Sequence, residues 1–282
     1  LKDIKFTLMH VQPTISLYLL DEAKKSPQAY AELKKVNLKN SETAQGLLEK
    51  YKGQMMALSI AEADIQLKTQ PRMLGVAKDI LEFSVAGHFD AVIMGRRGLS
   101  GLGEVFIGSV SANVVNHSAN TPVWLVDEKG TSKDILVAVD GSENSLKAVD
   151  HLAFMIGENT DVKISFFHVA PKLKDFCAVD FEEIQTEALE EIIRKGDKEC
   201  IDQFFSQAKK RLNAAGIQES QVNFKVNEGL FRVGKAVLDE FQQGNFGTLV
   251  VGRRGMNKKF FTGSVSGYLM NGFSEGALWV VP

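Results

Sequence analysis

The sequence predicts an α/β protein built from two tandem domains, each a doubly wound parallel sheet with helices on both faces. Short apolar runs rich in β-branched residues alternate with longer stretches of helical spacing. This alternation is typical of parallel strands joined by right-handed helical crossovers. The two halves of the chain resemble each other at an offset of about 155 to 158 positions, which indicates a duplicated domain. In both copies a glycine-rich loop stands between a strand and a helix.

Three pairs of segments carry the repeat. Residues 2–13 (KDIKFTLMHVQP) align with 160–171 (TDVKISFFHVAP), residues 89–98 (FDAVIMGRRG) with 246–255 (FGTLVVGRRG), and residues 121–126 (TPVWLV) with 276–281 (GALWVV). The predicted domains are therefore residues 1–128 and 133–282, and the run KGTSK at 129–133 is the predicted linker.

Composition narrows the class of protein. A chain of 282 residues with 44% hydrophobic and 24% charged residues is long enough for about two globular domains. A net charge of -2 and a pI near 6.3 argue against a nucleic-acid or acidic-membrane partner. The two cysteines, Cys177 and Cys200, have no CxxC spacing, so we interpret them as reduced thiols in a cytoplasmic protein. No apolar run approaches a membrane span, and the first residues do not read as a secretory signal.

The second copy contains every element of the predicted fold. Its first strand, DILVAVD at 134–140, is a continuous apolar run, which is typical of a strand buried on both faces of a parallel sheet. The run Gly141-Ser142-Glu143 then turns the chain into a helix. The later elements follow from apolar runs and helical spacing in turn. The predicted helices are 145–156, 182–213, 231–242 and 264–271, and the later strands are 161–169, 222–226, 247–251 and 277–281.

The first copy follows the same plan only from its second strand onward. Its predicted helices are 41–63 and 72–86, and its later strands are 64–68, 91–94 and 123–126. Nothing like DILVAVD precedes Leu1. In a doubly wound sheet the first strand is central and the ligand crevice opens beside it. We therefore expect residues upstream of Leu1 to complete this domain.

The two glycine loops, at 94–110 (MGRRGLSGLGEVFIGSV) and 251–265 (VGRRGMNKKFFTGSV), are candidate phosphate cradles. A glycine pair lets the backbone turn sharply and approach a ligand with no Cβ in the way. The Gly-Ser at the far end places N–H groups and a hydroxyl at a helix N-terminus, where a phosphate would be held. Many glycine loops only turn the chain, so this assignment needs support from the rest of the sequence.

With these residues the chain resembles the universal stress protein family, in the form with two domains in one polypeptide. The family signature is G-x2-G-x9-G-[ST] after the fourth strand, paired with an Asp at the end of the first strand. Gly95, Gly98, Gly108 and Ser109 fit the loop pattern, and Asp140 ends the first strand of the second copy. The resemblance covers nearly the whole chain and implies a Rossmann-like fold of the adenine-nucleotide alpha hydrolase type.

The resemblance implies nucleotide-binding roles position by position. Asp140 would contact the adenine and ribose end, and the backbone of Val169 would lie against the adenine, with Val11 as its counterpart. The residues implied to pass close to ribose and phosphates are Val251, Gly252 and Gly255 in the second copy and Met94, Gly95 and Gly98 in the first. The residues implied to hold the phosphates at a helix start are Gly263, Ser264, Val265 and Ser266, and Gly108, Ser109, Val110 and Ser111.

The copies depart from the family pattern in complementary ways. The first copy has the full loop and no visible Asp. In the second copy the spacer between Gly255 and Gly263 has seven residues, two fewer than the pattern. Lys258 and Lys259 lie inside this shortened loop. We interpret them as solvated lysines, with contact to phosphate as the alternative.

Several residues also have a structural interpretation. Asp140 suits a helix cap beyond Gly141, although the resemblance favours ligand contact. The arginines at 96–97 and 253–254 suit phosphate, and contact with solvent or a subunit is an equal alternative. His10 and His168 are interpreted as core histidines bonded to neighbouring backbone, and His88, His117 and His151 show no metal-ligand spacing.

The last strands of the two copies, VWLV at 123–126 and LWVV at 278–281, carry Trp124 and Trp279 at equivalent places. In the family these strands lie at the sheet edge and pair across a dimer, so burial is the expected role of the tryptophans. Exposed apolar edges favour association. We therefore predict that the two strands pair with each other in an intramolecular pseudo-dimer, with further homodimerisation left open.

The predicted function is the binding of an adenine nucleotide, ATP with or without Mg²⁺, which changes the conformation or partners of a stress-response protein. Binding is the expected act, with at most slow ATP hydrolysis, so no catalytic residue is assigned. The alternative is an interaction or scaffold module with decayed sites, which the short spacer favours. Nucleotidyl transferases (HxGH), ATP pyrophosphatases (SGGxDS) and phospho-accepting receivers are disfavoured, because DGSENS follows the first strand.

Overall fold

A computed structural model describes residues 4–96, 107–127, 132–157, 159–173, 186–228, 232–253 and 264–282. Its contacts divide the chain into two compact units, Leu1–Gly87 and His88–Pro282. The boundary between these two units falls inside the first copy of the repeat, before its fourth strand, and residues 129–131 of the predicted linker lie outside the described part. None of the described helices is long and apolar enough to cross a membrane.

The first unit is a two-stranded parallel sheet with three helices. Strands β1 (Phe6–Gln12) and β2 (Ile65–Pro71) pair from Phe6 opposite Ile65 to Gln12 opposite Pro71. The helices are α1 (Leu17–Ala23), α2 (Pro27–Ala57) and α3 (Val76–Ala86). The elements correspond to the second to third strands of the repeat and the helices that flank them.

Two helix starts in the first unit differ from the predictions. Helix α2 begins at Pro27 rather than at residue 41, because the Ser26 hydroxyl caps it and proline suits the first helical position. Helix α3 begins at Val76 rather than at residue 72. The Asp79 carboxylate accepts the backbone N–H groups of Met73 and Leu74, at 2.9 Å each, and this holds the preceding residues in a turn.

The second unit is a seven-stranded sheet in the order β3-β4-β9-β8-β5-β6-β7. Its strands are β3 (Val92–Gly95), β4 (Val123–Val126), β5 (Ile135–Val139), β6 (Ile164–Val169), β7 (Val222–Asn227), β8 (Thr248–Gly252) and β9 (Ala277–Val281). Its helices are α4 (Ser109–His117), α5 (Glu143–Ile156), α6 (Thr186–Ala214), α7 (Val233–Gln243) and α8 (Ser264–Gly272). Every neighbouring pair is parallel except β4–β9.

The second repeat has the predicted α/β fold. Strand β5 is central between β8 and β6, with Ile135, Leu136, Val137 and Val139 buried, as expected for a strand covered on both faces. Helices α5 and α6 pack on one face through side chains such as Leu152 and Leu212, both fully buried. The apolar core on this face includes Phe166, whose ring stacks on Phe224 at 5.1 Å between centroids.

The first repeat contributes strands to two separate sheets. Its strands β1 and β2 form the small sheet of the first unit, whereas β3 and β4 extend the large sheet of the second. In the second repeat, β5 pairs with β6 on one side and with β8 on the other, so the strands equivalent to β1 and β3 lie in one sheet. Among the described residues of the first repeat, no strand stands between β1 and β3 as β5 stands between β6 and β8.

The predicted pairing of the last strands is present. Strands β4 and β9 are antiparallel partners, with Trp124 opposite Trp279, and we call this pair of strands the β4–β9 junction. The two indole rings stack with their centroids 3.9 Å apart and an interplanar angle of 2°. Both tryptophans are 8% exposed, which confirms the burial expected from the sequence.

Candidate functional site

A crevice opens in the second repeat at the carboxyl ends of β5, β6 and β8. Strand order reverses around β5, and this switch point is where open α/β sheets bind ligands. The crevice is open to solvent and its cavity volume is about 90 Å³. This is smaller than the roughly 300–1,000 Å³ of typical small-molecule sites, so a ligand of nucleotide size would extend out of the crevice.

The lining of the crevice is mainly apolar, with a few polar side chains among the valines. Strands β5, β6 and β8, helix α7 and the start of α8 all contribute. The lining residues are Ala138, Val139, Asp140, Ser145, Phe167, Val169, Val233, Val237, Val251, Gly252, Arg253, Val265 and Ser266. The structure therefore brings together six of the predicted site residues, namely Asp140, Val169, Val251, Gly252, Val265 and Ser266.

Asp140 lies where β5 turns into α5, and its carboxylate braces this turn. Its Oδ1 accepts the Ser145 hydroxyl at 2.7 Å and the Ser142 backbone N–H at 3.1 Å. The N-cap of α5 is Ser142, whose hydroxyl accepts the Ser145 N–H at 3.2 Å. Asp140 is thus a neighbour of the cap and not the cap itself, and it remains on the wall of the crevice.

Gly252 packs closely against the start of α5 at the end of β8. A Cβ at this position would lie 3.2 Å from both the carbonyl carbon and the carbonyl oxygen of Asn144, in the first turn of α5. Such contacts are tighter than side chains normally tolerate. The glycine therefore keeps β8 and the start of α5 close together on one side of the crevice, in addition to any approach to a ligand.

The start of α8 is fixed to the glycine loop by Ser266. This side chain is buried, and its hydroxyl donates to the carbonyl oxygen of Arg253 at 3.0 Å. The Ser266 hydroxyl therefore donates its proton to the glycine loop and not to a phosphate. Residues Gly255 and Gly263 lie outside the described part of the chain, as do Lys258 and Lys259, and Ser264 is described only as the first residue of α8.

The first repeat shows the same arrangement at its own glycine loop. The hydroxyl of Ser111, on α4, donates to the carbonyl oxygen of Gly95 at 2.9 Å, and the Gly108 N–H donates to the Arg96 carbonyl at 2.9 Å. The structure places Met94, Gly95, Gly108, Ser109, Val110 and Ser111 on β3 and the start of α4, in the second unit. Val11 lies on β1 in the first unit, and Gly98 is outside the described residues.

A buried histidine supports the crevice from the opposite side of the sheet. His168 donates from Nδ1 to the Val139 carbonyl, 3.0 Å away, and its Nε2 lies 3.1 Å from both carboxylate oxygens of Asp197 on α6. The prediction of a core histidine bonded to backbone is confirmed for His168. The sequence analysis did not find Asp197, because a partner 29 positions away on a helix leaves no local signal.

The first arginine of each glycine loop is buried. Arg96 is 1% exposed, and its Nε donates to Asp127 at 3.0 Å. Arg253 is 6% exposed, and its Nη1 donates to the carbonyl oxygens of Val115 at 3.3 Å and Asn116 at 3.1 Å, at the end of α4. Contact with solvent is therefore wrong for both residues. Arg253 makes a contact between the two repeats and also lines the crevice.

Sequence reasoning did not assign six of the lining residues to the site, namely Ala138, Val139, Ser145, Phe167, Val233 and Val237. Phe167 was available from strand periodicity, because it points to the same face of β6 as Val169. Val233 and Val237 are one helical turn apart on α7, but the sequence does not show which face of α7 covers the crevice. Within the described residues no cluster of three or more His, Cys, Asp or Glu side chains could hold a metal ion.

The fold is that of a doubly wound α/β protein with a crevice at the switch point of its sheet. The chain belongs to the universal stress protein family, because the model of the "Universal stress protein family" matches residues 1–127 and 131–280. This double match also shows that two such domains follow one another in the chain. A comparison with curated protein sequences found no match.

A comparison with solved structures found chains of similar fold. A universal stress protein from Archaeoglobus fulgidus DSM 4304 matches with a TM-score of 0.63 and 19% identity, over 99% of this chain and 87% of its own. A functionally unknown protein from Pseudomonas aeruginosa PAO1 matches with a TM-score of 0.53 and 14% identity, over 99% of this chain and 92% of its own. A universal stress protein solved in complex with cAMP covers 53% of this chain and 97% of its own, with 20% identity and a TM-score of 0.37.

Proposed function

We propose that the crevice of the second repeat binds an adenine nucleotide, ATP with or without Mg²⁺, and that occupancy changes the conformation or partners of a stress-response protein. The observation that carries the proposal is the convergence of six predicted site residues on one crevice at the switch point. A further nucleotide at the first repeat would use the equivalent residues on β3 and α4. Binding, with at most slow ATP hydrolysis, is the proposed act.

The chemistry of the crevice suits a nucleotide. Apolar walls from Val169, Val237 and Phe167 match the faces of a heterocyclic base, and the backbone of Val169 offers hydrogen bonds to the base edge. Asp140 stands where a ribose hydroxyl would find an acceptor. Helix α8 begins at the same crevice, so its first N–H groups are donors for phosphate oxygens. The groups that grip the ligand are therefore mainly backbone.

A second candidate function is an interaction module whose site no longer holds a nucleotide. The small cavity volume of the crevice and the hydrogen bond of the Ser266 hydroxyl within the protein favour this candidate. The two candidates differ in one measurable property, the number of nucleotide equivalents that the chain holds. We therefore place this measurement first.

The test is to denature the purified full-length protein, identify any released nucleotide by mass, and titrate the nucleotide-free protein with ATP by calorimetry. The matched variants are Asp140→Asn and Asp134→Asn, because the two aspartates stand at opposite ends of β5 and only Asp140 lines the crevice. We expect Asp140→Asn to weaken ATP binding roughly tenfold or more, the value of a hydrogen bond to a charged group. Asp134→Asn should change it less than about twofold.

Two results would count against the proposal in different ways. Wild-type protein that releases no nucleotide and gives no heat with ATP would leave the interaction module as the function. ATP binding that Asp140→Asn and Asp134→Asn affect equally would keep the nucleotide but remove Asp140 from its site.

A further inference from the structure

Helix α4 of the first repeat ends against an arginine of the second. Its last carbonyl groups need partners from outside the helix, as at any helix C-terminus. Within the described residues, Ser118 N–H donates to the Val114 carbonyl and His117 Nδ1 lies 2.8 Å from the Asn113 carbonyl. The carbonyls of Val115 and Asn116 accept from Nη1 of Arg253. A buried cation therefore completes this helix end, where the helix dipole favours positive charge.

The backbone of Arg253 is also hydrogen-bonded, to β9 and to α8. Its N–H donates to the Val281 carbonyl of β9 at 2.6 Å, and its carbonyl accepts the Ser266 hydroxyl of α8 at 3.0 Å. The residue follows Gly252 and lines the crevice. One residue thus joins the crevice, the start of α8, the last strand of its own repeat and the end of α4 in the other repeat.

The opposite end of α4 is the helix start that the sequence assigns to the phosphates of the first repeat. Helix α4 has nine residues, from Ser109 to His117. Its N-terminal Ser111 is bonded to Gly95, and its C-terminal carbonyls are bonded to Arg253. Helix α4 therefore connects Arg253 at one end with the glycine loop of the first repeat at the other.

We propose that Arg253 is a positioning residue that couples the crevice of the second repeat to helix α4 of the first. A ligand that settles against Gly252 and the start of α8 fixes Arg253, which in turn orders α4 and the helix start at Ser109. By linkage, an anion at that helix start favours the ligand-bound position of Arg253. The coupling rests on the proposed nucleotide site, but the link between Arg253 and α4 exists without a ligand.

The test is hydrogen exchange by mass spectrometry on the full chain, without ligand and with ATP. The variant is Arg253→Met, which keeps the length of the side chain and removes its donors. The matched control is Arg211→Met, since Arg211 on α6 also pairs across elements, with Asp150, but is partly exposed and does not line the crevice. Arg253→Lys, which keeps a cation at the helix end, should fall between wild type and Arg253→Met.

Without ligand, we expect Arg253→Met to speed exchange at residues 114–118 roughly tenfold or more, because a buried hydrogen bond to a charged donor is lost. Arg211→Met should leave these residues unchanged. With ATP, wild type should gain protection at both α8 and α4, whereas Arg253→Met should gain it at α8 alone. If Arg253→Met does not fold, Arg253→Lys should show the same pattern at smaller amplitude.

The outcomes separate the inference from the nucleotide site. Unchanged exchange of α4 in ligand-free Arg253→Met overturns the link, whether or not ATP binds. Equal protection of α4 by ATP in wild type and Arg253→Met overturns the coupling while the nucleotide site stands. Absence of ATP binding to wild type overturns the nucleotide site and the coupling, and the ligand-free comparison still decides the link itself.

Discussion

His151 of α5 lies against the stacked tryptophans of the β4–β9 junction. Nε1 of Trp124 donates to Nε2 of His151 at 3.0 Å, and the imidazole centroid is 5.7 Å from the centroids of both indoles. The imidazole accepts at Nε2, so this ring is neutral in the folded protein. Burial among these rings lowers the pKa of His151 from 6.5 to about 4. Protonation would place an unsolvated charge here and remove the hydrogen bond from Trp124.

The pKa of His151 makes the stability of the second unit depend on pH. The folded pKa lies below the unfolded value of 6.5, so at pH values under 6.5 the unfolded chain binds a proton that the folded chain does not. The free energy of unfolding therefore falls as the pH falls from 6.5 toward 4. At pH 5 the loss is about 2 kcal/mol, and below pH 4 it levels off near 3 kcal/mol.

The assay is urea unfolding at pH 7.5 and pH 5, followed by tryptophan fluorescence. The chain has two tryptophans, Trp124 and Trp279, and both lie at the junction, so the signal reports on this region alone. The variant His151→Gln keeps an acceptor for Trp124 and cannot be protonated. The control is His88→Asn, at an exposed position with a positive φ that asparagine tolerates.

Wild type should lose about 2 kcal/mol more than His151→Gln between pH 7.5 and pH 5, and His88→Asn should behave as wild type. Part of any acid effect will come from carboxylates elsewhere, and the comparison between variants removes that part. Wild type and His151→Gln that lose the same stability between the two pH values would refute the reasoning, because the histidine would then be accessible to water in the folded state.

Three further predictions concern the same unit and are measured by urea unfolding at pH 7.5. Arg96→Met should lower the free energy of unfolding by about 3–5 kcal/mol, because Asp127 would remain buried without its cation. The double variant Arg96→Met with Asp127→Leu should recover much of this loss. A loss under about 1 kcal/mol in the single variant would contradict the prediction. Phe166→Ala should cost about 3–5 kcal/mol, since its ring is fully buried against Phe224; full stability would mean that the ring is not part of the core. Gly252→Ala should lower the free energy of unfolding by about 1–3 kcal/mol, because the new Cβ would lie too close to the backbone of Asn144. An unchanged urea midpoint would show that the start of α5 shifts to accommodate the Cβ.

The sequence predicted the second repeat well because its signals are local. The strand DILVAVD is continuously apolar, and β5 occupies Ile135–Val139 within it. The last strand, Ala277–Val281, has the predicted bounds. Helix α1 was not predicted, because LYLLDEA exposes Leu17 and Tyr18 at 79% and 73% and so lacks an amphipathic pattern. The early start of α2 had a readable signal, Ser26 followed by a proline.

The candidate site was predictable where it is made of backbone and hidden where it depends on distant partners. The crevice residues Asp140, Val169 and Gly252 were implied by the family resemblance, which rests on local motifs, the glycine loop and the Asp at the end of the first strand. The burial of Arg253 does not, because its acceptors, Val115 and Asn116, lie 138 and 137 positions away. A charged residue between two glycines is ordinarily a solvated loop residue, and only the tertiary structure supplies carbonyl groups that pay for its desolvation.

The two buried arginines show how close the glycine loops lie to the junction between repeats. The Arg96 N–H donates to Val126 at the end of β4, and the Arg253 N–H donates to Val281 at the end of β9. Strands β4 and β9 pair with each other, so one hydrogen bond separates each glycine loop from the strand that meets the other repeat. A ligand that moves either loop therefore acts directly on the junction, and no long chain of contacts is needed to carry its effect. The pairing of β4 with β9 therefore brings the glycine loop of each repeat close to the other repeat.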